Sequence, residues 1–440
     1  MSGNEWPAIL GVLGALLALV PVIRKLTKHF GASPEVARKS IHVVMGLTCS
    51  AFPWIFREPS AVWILAALAT VPMCLLRTVP TLRSGVGSVL HGIKRPSYGE
   101  VLFAPAVAAV FHLSQGDALL HLIPILILTV ADAAGALAGT RWGRRHYGSG
   151  EGFKTVEGSA IFLITAFVCI LVPLIIDGRA GVGNALWIAL ILATLGMMGE
   201  GFSDRGFDNL VVPLGSFFVL ERLISLETPS LVGRFVVLVL VLGFVLAGSG
   251  WSTLSGAALL GSALLGYGCA VIADWRFALP PSAVFICHLF TTRKHSLTGV
   301  FDHRMDAVVS HAIAAMPWVL ATHMDIVSPL VGLAGISFSM ACQLAILDAA
   351  TRAWLQGVAP RRLRSALKGW LFAALPGLVW FWPNYQVLLV PVCAGLTATF
   401  VTVILFGFIQ SRYRGHATGL WIVKGLIALA ASLPALFLRS

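Results

Sequence analysis

A polar stretch between Thr129 and Ser159 interrupts an otherwise apolar region and carries residue types that can bind phosphate and a metal ion. It opens with Asp132 at the edge of an apolar run. An acidic side chain at the edge of a bilayer-length segment is costly, which indicates a functional role. The charged residues that follow are Arg141, Arg144, Arg145, Lys154 and Glu157. Their chemistry predicts the handling of a nucleotide or phosphate together with Mg²⁺.

The spacing of small residues in this stretch indicates a helix followed by a loop. Asp132, Gly135 and Gly139 are spaced i, i+3 and i+7 and share one helix face, and Gly143 follows in the loop. Glycines allow a neighbouring helix or a phosphate to approach the backbone closely. Lys154 would then place a cation near the start of the next helix, whose N-terminal amides also favour anions.

Three further polar clusters lie at predicted helix ends: "RKSIHVVMG" from Arg38, "KRPSYGE" from Lys94 and "GEGFSDRGFDNLVVP" from Gly199. Their carboxylates, with that of the opening stretch, sit where oxygen ligands can reach a divalent cation without entering hydrocarbon. These four acids are Glu100, Asp132, Glu200 and Asp208.

The elements that position these clusters are membrane helices. Hydrophobic residues make up 58% of the 440 residues and charged residues only 11%, which predicts a polytopic membrane protein. About sixteen apolar spans, rich in Gly, Ala and Leu, favour helices over barrel strands. We therefore predict an all-α transmembrane bundle of about 14 to 16 helices. The net charge of +12 is spread over short clusters between spans, which argues against a nucleic-acid partner.

The positive charge also predicts the topology. Nearly all basic residues fall in the loops after odd-numbered spans, and the alternate loops are short and poor in charge. The positive-inside rule then places the basic loops and the polar clusters on the cytoplasmic face and both termini outside. A polar segment from Glu221 to Gly233, with Pro229, predicts a boundary between two apolar halves.

The chain resembles the dolichol kinase and phytol kinase family of integral membrane kinases in five motifs that follow one another in the same order. These motifs are "RKxxHxxxG", "YGE", "DAxxGxxxGxxxG", "KTxEGS" and "ExxSDxGxDNxxxP". The resemblance covers Arg38 to Pro213. It implies a kinase-like membrane domain over residues 1–228 and leaves residues 229–440 as a second helical domain of unknown role. It also implies CTP, or another nucleoside triphosphate, as phosphoryl donor, Mg²⁺ as cofactor, and a lipid alcohol such as an isoprenoid as acceptor, taken from among the membrane lipids.

The resemblance assigns roles to residues of this chain. The CTP-binding region of the family maps onto Asp132, Gly135, Gly139, Gly143, Lys154, Thr155, Glu157 and Gly158. With the charges above, Asp132, Glu157 and Glu200 are candidate metal ligands, Glu200 or Asp208 a candidate general base, and Arg141 or Arg144 phosphate contacts. Further candidates in the motifs are Arg38, Lys39, His42, Tyr98, Glu100, Asp204 and Asn209. The chain has a single lysine in "FKTVEG", with Phe153 where many family members have another lysine.

Other interpretations stay open at this point. Arg144 and Arg145 could be positive-inside anchors, and His42 could simply bond a neighbouring helix. The whole protein could be a cytidylyltransferase that releases pyrophosphate, although the longer signature of those enzymes is absent from the sequence. It could also be a transporter or flippase of a phosphorylated lipid, with the second half as carrier.

The second half carries its own cluster of polar residues, in "CHLFTTRKHSLTGVFDHRMDAVVSH". Asp302 and Asp306 are spaced i, i+4, and His303 and His311 could share a helix face. A second metal or phosphate site is one interpretation. A solvated basic loop is the other.

Overall fold

The computed structural model describes residues 5–78, 98–147, 154–203, 205–296, 303–356, 362–374, 385–410 and 418–438. Nearly all of them lie in helices, which confirms the predicted all-α class. They group into two compact units, Met1–Val236 and Val237–Ser440. The predicted boundary at residues 228/229 lies shortly before this division, and the roles of the two parts remain predictions.

The first unit contains ten helices within the described ranges and one hairpin of two short strands. The helices are α1 Trp6–His29, α2 Pro34–Ser50, α3 Phe52–Ile55, α4 Pro59–Thr78, α5 Gly99–Ser114, α6 Ala118–Leu126, α7 Asp132–Trp142, α8 Val156–Asp177, α9 Gly181–Phe202 and α10 Asp208–Leu223. A π turn, Ile127–Ala131, joins α6 to α7, and antiparallel strands β1 (His146–Tyr147) and β2 (Lys154–Thr155) precede α8.

Helix α11, Thr228–Ala247, runs across the division between the units. In the second unit the described helices are α12 Gly256–Ile272, α13 Leu279–Ser296, α14 Met305–His323, α15 Pro329–Gln356, α16 Arg362–Gly369, α17 Tyr385–Gln410 and α18 Thr418–Ser432. Helix α15 lies at the centre of the second unit, because 94% of its most apolar stretch is buried.

Eight helical segments of the described chain are long and apolar enough to cross a membrane, and four shorter helices are also apolar. Large apolar side chains are exposed on several of them, for example Leu17 on α1, Ile164 on α8 and Leu240 on α11. Such a surface suits lipid rather than water. The chain is therefore a multi-pass integral membrane protein. The orientation drawn from the basic loops stays a prediction.

Local signals in the sequence set the helix ends that carry the polar clusters. Ser33 caps α2, with its hydroxyl accepting from Val36 N at 3.3 Å. Thr155 caps α8 in the same way through Gly158 N at 3.1 Å. At its far end α8 stops at Gly178, whose φ of 77° is a left-handed conformation suited to glycine. The "KTxEGS" motif therefore lies at a helix end, as the sequence predicts, whereas Asp132 lies inside the continuous segment Ala118–Trp142.

Candidate functional site

Three carboxylates meet in the first unit. Asp132 lies inside the continuous helical segment Ala118–Trp142, directly after the π turn, whereas Glu200 lies in the last turn of α9 and Asp208 begins α10. One oxygen from each lies within 4.8 Å of the others. Oxygen ligands at this separation suit a hard divalent cation such as Mg²⁺.

The π turn before Asp132 positions the first of these carboxylates. Pi turns widen a helix locally and occur often at functional sites. The Thr129 hydroxyl donates to Ile125 O at 2.5 Å within this segment. Gly46 of α2 faces Thr129 so closely that a Cβ at position 46 would overlap its side chain. The glycine that ends the "RKxxHxxxG" motif therefore lets α2 pack against the π turn.

The same helix α2 supplies a cation to Asp132. Lys39 Nζ donates to Asp132 Oδ2 at 2.6 Å, and both side chains are buried. His42, one turn further, lies 3.1 Å from Leu128 O and 3.5 Å from the same Asp132 oxygen. Because the Leu128 carbonyl oxygen accepts, His42 Nε2 carries a proton, and this N–H edge of the ring faces the Asp132 carboxylate. Both residues of the motif therefore act on Asp132.

A second lysine enters the site from the hairpin. Tyr147 pairs with Lys154 in the antiparallel ladder, and the Lys154 ammonium donates to Glu200 Oε1. Burial opposes the charge on Lys154, but the Glu200 and Asp208 carboxylates outweigh burial and raise its pKa. Lys154 is therefore a fixed cation beside the carboxylates.

The third carboxylate is the least neutralised. Asp208 Oδ1 is buried and has no hydrogen-bond partner among the described residues. Burial, and then the negative charge of Asp132, raise the pKa of Asp208. Three carboxylates face two ammonium groups here, so the cluster carries excess negative charge when all are ionised. An orphaned carboxylate oxygen and a surplus of negative charge both fit a bound cation.

The glycines of the opening stretch pack two helices together. A Cβ on Gly135 would lie 3.1 Å from Gly158 O, and one on Gly158 would lie 2.8 Å from Gly135 O. One on Gly139 would lie 2.8 Å from the Thr155 hydroxyl. Gly143 is equally crowded by Thr155. Of the two uses that the sequence suggested for these glycines, a neighbouring helix is the one observed, and it brings α7 and α8 together beside Asp132.

Glu157 lies apart from the three carboxylates. Its carboxylate accepts from the backbone amides of Arg144 at 3.1 Å and Arg145 at 3.3 Å, which ties the loop after α7 to the first turn of α8. The Arg144 and Arg145 side chains are exposed. The Arg141 Cζ atom lies 5.8 Å from the centroid of the Trp142 ring. Of the predicted metal set, Asp132 and Glu200 meet in this cluster together with Asp208, and Glu157 is not one of its carboxylates.

The remaining predicted residues lie around this cluster. Tyr98 N donates to Arg205 O at 2.7 Å, which joins the "YGE" motif to the loop before α10. Glu100 is exposed at the start of α5, and Asn209 follows Asp208 in α10. Arg38 forms a two-pronged pair with Glu35 at 2.6 and 3.0 Å, which lowers the pKa of Glu35. Asp204, Phe153 and Lys94 lie outside the described residues.

A cavity of about 1230 Å³, including its opening, lies beside the carboxylate cluster. Asp132, Lys154 and Glu200 line it together with the four glycines of α7, its loop and α8. Glu35, His146 and Ser159 also line it, and the sequence reasoning missed all three. The Ser33-Pro34 cap signal directly before Glu35 could have placed that acid at a helix end beside the "RKxxHxxxG" motif. A polar cavity with a carboxylate cluster, lysines and exposed arginines nearby marks the first unit of this multi-pass membrane protein.

Comparison with known proteins gives a distant relative. The chain is 28% identical over 221 residues to a phytol kinase from Synechocystis sp., which covers 49% of this chain and 90% of that protein. The predicted resemblance is thereby confirmed as a distant relationship over about half of the chain. No family model matches the chain, and no solved structure matches it significantly.

Proposed function

We propose that the first unit is a membrane-embedded kinase that transfers the γ-phosphoryl group of CTP, or another nucleoside triphosphate, to the hydroxyl of an isoprenoid or related lipid alcohol. The observation that carries the proposal is the meeting of Asp132, Glu200 and Asp208, of which the first two line one cavity together with Lys154. The distant phytol kinase relative supports it, and its matched length of 221 residues is close to the length of the first unit. The site would face the cytoplasm, with both termini outside.

The three carboxylates would hold Mg²⁺. When bound, the cation would neutralise charge on the β- and γ-phosphate oxygens. Lys154, fixed beside Glu200, would supply further positive charge to the phosphates. Lys39, which donates to Asp132, would orient that carboxylate. Arg141 or Arg144, exposed at the end of α7, would reach the nucleotide from the loop.

The alcohol would enter laterally between helices and place its oxygen in line with the γ-phosphorus. The new O–P bond forms as the bond to the β-phosphate oxygen breaks, so a lipid monophosphate and a nucleoside diphosphate leave. The hydroxyl proton passes to a carboxylate within reach. Asp208 is the better base candidate of the two predicted, because Glu200 is held by Lys154 and Asp208 Oδ1 has no partner in the described chain.

Mass spectrometry of lipids after incubation of the purified protein with CTP, Mg²⁺ and a panel of lipid alcohols tests the proposal. We expect a lipid monophosphate and CDP in equal amounts. Pyrophosphate with a CDP-lipid, formed from a lipid phosphate added in a parallel incubation, would instead show a cytidylyltransferase. Absence of a phosphorylated lipid with CTP, ATP, GTP and UTP alike would refute the kinase.

A further inference from the structure

A pair of hydroxyl groups beside the cavity of the first unit has no role in the phosphoryl transfer proposed so far. Tyr147 Oη lies 2.5 Å from Ser159 Oγ. Tyr147 lies in strand β1 directly opposite Lys154 of β2. Because opposed residues of an antiparallel pair point to the same face, the Tyr147 ring and the Lys154 side chain lie side by side. The hydroxyl pair is therefore close to the ammonium that holds Glu200.

Two of the first three backbone amides of α8 already have acceptors within the protein. Val156 N donates to Arg145 O at 2.9 Å, and Gly158 N donates to the Thr155 hydroxyl at 3.1 Å. Free amides are what normally make a helix start attractive to a phosphate. An anion in this part of the cavity therefore depends on side-chain donors, of which Lys154 is one.

The position of the two hydroxyls decides which of them donates to the other. Ser159 lines the cavity, whereas Tyr147 is not among the described residues that do so. Burial, and then the negative charge of Glu200, raise the pKa of Tyr147, so the phenol keeps its proton. If Ser159 donated, this phenolic proton would have no acceptor among the described residues. With Tyr147 as the donor, the Ser159 proton is free to point into the cavity.

Ser159 also differs from other hydroxyl residues on the helices of this chain. Thr194, for example, donates to Leu190 O at 2.8 Å, which is the usual bond of a helical hydroxyl to the carbonyl four residues back. Within the described part of the chain, Ser159 makes no such bond to the Thr155 carbonyl, and its hydroxyl is turned to Tyr147 instead. The tyrosine therefore fixes the orientation of the serine hydroxyl.

We propose that Ser159 donates its hydroxyl proton to a phosphate oxygen of the nucleotide, and that Tyr147 is a positioning residue that keeps the serine hydroxyl turned into the cavity. The inference rests on the proposed function and adds to it a neutral donor beside Lys154. A phosphate oxygen carries negative charge and accepts strongly from a hydroxyl. The lipid alcohol is the poorer partner, because a donor on its oxygen would draw electron density from the atom that attacks phosphorus.

Equilibrium dialysis tests the phosphate contact, with the full chain in lipid nanodiscs, Mg²⁺, no lipid alcohol, and labelled CTP, ATP, GTP and UTP in turn. Ser159→Ala should raise the nucleotide Kd by about tenfold, because a hydrogen bond to a charged group is lost. Ser159→Thr keeps a hydroxyl and should recover most of the affinity. Thr140→Ala is the matched control, since Thr140 lines the same cavity but its hydroxyl donates to Leu137 O at 2.9 Å. Its Kd should stay within about twofold of the native value.

A double-mutant cycle tests the positioning role. Tyr147→Phe keeps the ring beside Lys154 but removes the donor, so the nucleotide Kd should rise about three- to fivefold as the serine hydroxyl turns to the Thr155 carbonyl. In the Ser159→Ala background the same change should have no further effect, because Tyr147 acts only through the serine. Losses that add in the double variant would refute the positioning role.

The outcomes separate this inference from the proposed function. A native protein that binds none of the four nucleotides would refute both. Nucleotide binding by the native protein, with an unchanged Kd in Ser159→Ala protein of the same melting temperature, would refute the phosphate contact alone. A raised KM for the lipid alcohol at an unchanged nucleotide Kd would assign the serine hydroxyl to the alcohol and would overturn the inference as well.

Discussion

Lys39 Nζ lies 2.6 Å from Asp132 Oδ2, although the two residues are 93 positions apart in the chain. Both side chains are buried, at 5% and 7% exposure. A buried pair of this kind is strongly destabilised when one partner is removed, because the other charge is left unpaired. The pair therefore joins α2 to α7 at the point where the proposed chemistry takes place.

Asp132→Asn should reduce phosphoryl transfer by about 100-fold or more, because it removes a carboxylate from the cation site. Insertion into the membrane should persist, since the change removes a charge from a membrane helix. Product formation is measured by lipid mass spectrometry and insertion by membrane fractionation.

Asp117→Asn is the matched control for that variant. Asp117 caps α6 at the other end of the same continuous helical segment, and asparagine caps helices equally well. This variant should keep activity within about threefold, since it loses only an exposed pair with Arg179. Normal turnover in Asp132→Asn would remove the metal assignment.

Single substitutions of Asp208 and Glu157 distinguish the roles of these two acids. Asp208→Asn should reduce transfer by about 100-fold, because it removes a ligand and base candidate. Glu157→Gln should retain activity within about threefold, because a glutamine oxygen can still accept from the Arg144 amide. The measurement is kcat for both proteins at saturating Mg²⁺. A larger loss of kcat in Glu157→Gln than in Asp208→Asn would assign the metal site to Glu157 and not to Asp208.

Lys154→Ala should raise the nucleotide KM by about tenfold or more, since an ammonium on a phosphate contributes charge in the ground state and the transition state alike. Lys154→Arg should recover part of the affinity. Initial rates over a range of CTP concentrations separate KM from kcat. An unchanged KM in the alanine variant would count against the phosphate contact.

Gly158→Ala should lower stability by about 1–3 kcal/mol, because the added Cβ would lie 2.8 Å from Gly135 O and force α7 and α8 apart. Gly183→Ala in α9 is the control, since a Cβ there meets nothing within 4 Å. Thermal unfolding in detergent, followed by thiol-reactive dye or aggregation, compares them. Equal melting temperatures would show that the α7–α8 contact tolerates a methyl group.

The first unit should act as a kinase without the second. The earlier division at 228/229 would cut α11 at its start, yet the Phe235 ring packs on Trp187 at 5.5 Å within the first unit. A chain ending after Ala247 keeps this contact and should phosphorylate a lipid alcohol, while the remainder alone should not. If neither the truncated chain nor the two parts co-expressed has activity, although both reach the membrane, the second half contributes to catalysis.

The sequence was sufficient to predict the helical class. Charges are rare in this chain, so Asp132, Glu200 and Asp208 beside apolar runs stand out without any structure, and the structure brings the three together while their roles remain predictions. The partner of Asp132 was not predictable, because Lys39 in a basic run is equally typical of a positive-inside anchor. The contacts of Glu157 were not predictable for a similar reason. Its position in a first helical turn suits a metal ligand and a loop anchor alike, and the contact with the Arg144 amide, which favours the loop anchor, is visible only in the structure.

The π turn at Ile127–Ala131 has a consequence for insertions and deletions in this region. A π turn is equivalent to one extra residue in an α-helix, and each α-helical residue rotates the chain by about 100°. Conversion of Ile127–Ala131 into regular α-helix without loss of a residue would turn Asp132 by about that angle relative to the buried His121 and take the carboxylate away from Lys39. Loss of one residue together with the π turn would cancel that rotation and leave Asp132 facing Lys39. A relative with a gap in these five positions can thus form a regular helix and still present its aspartate at the same place.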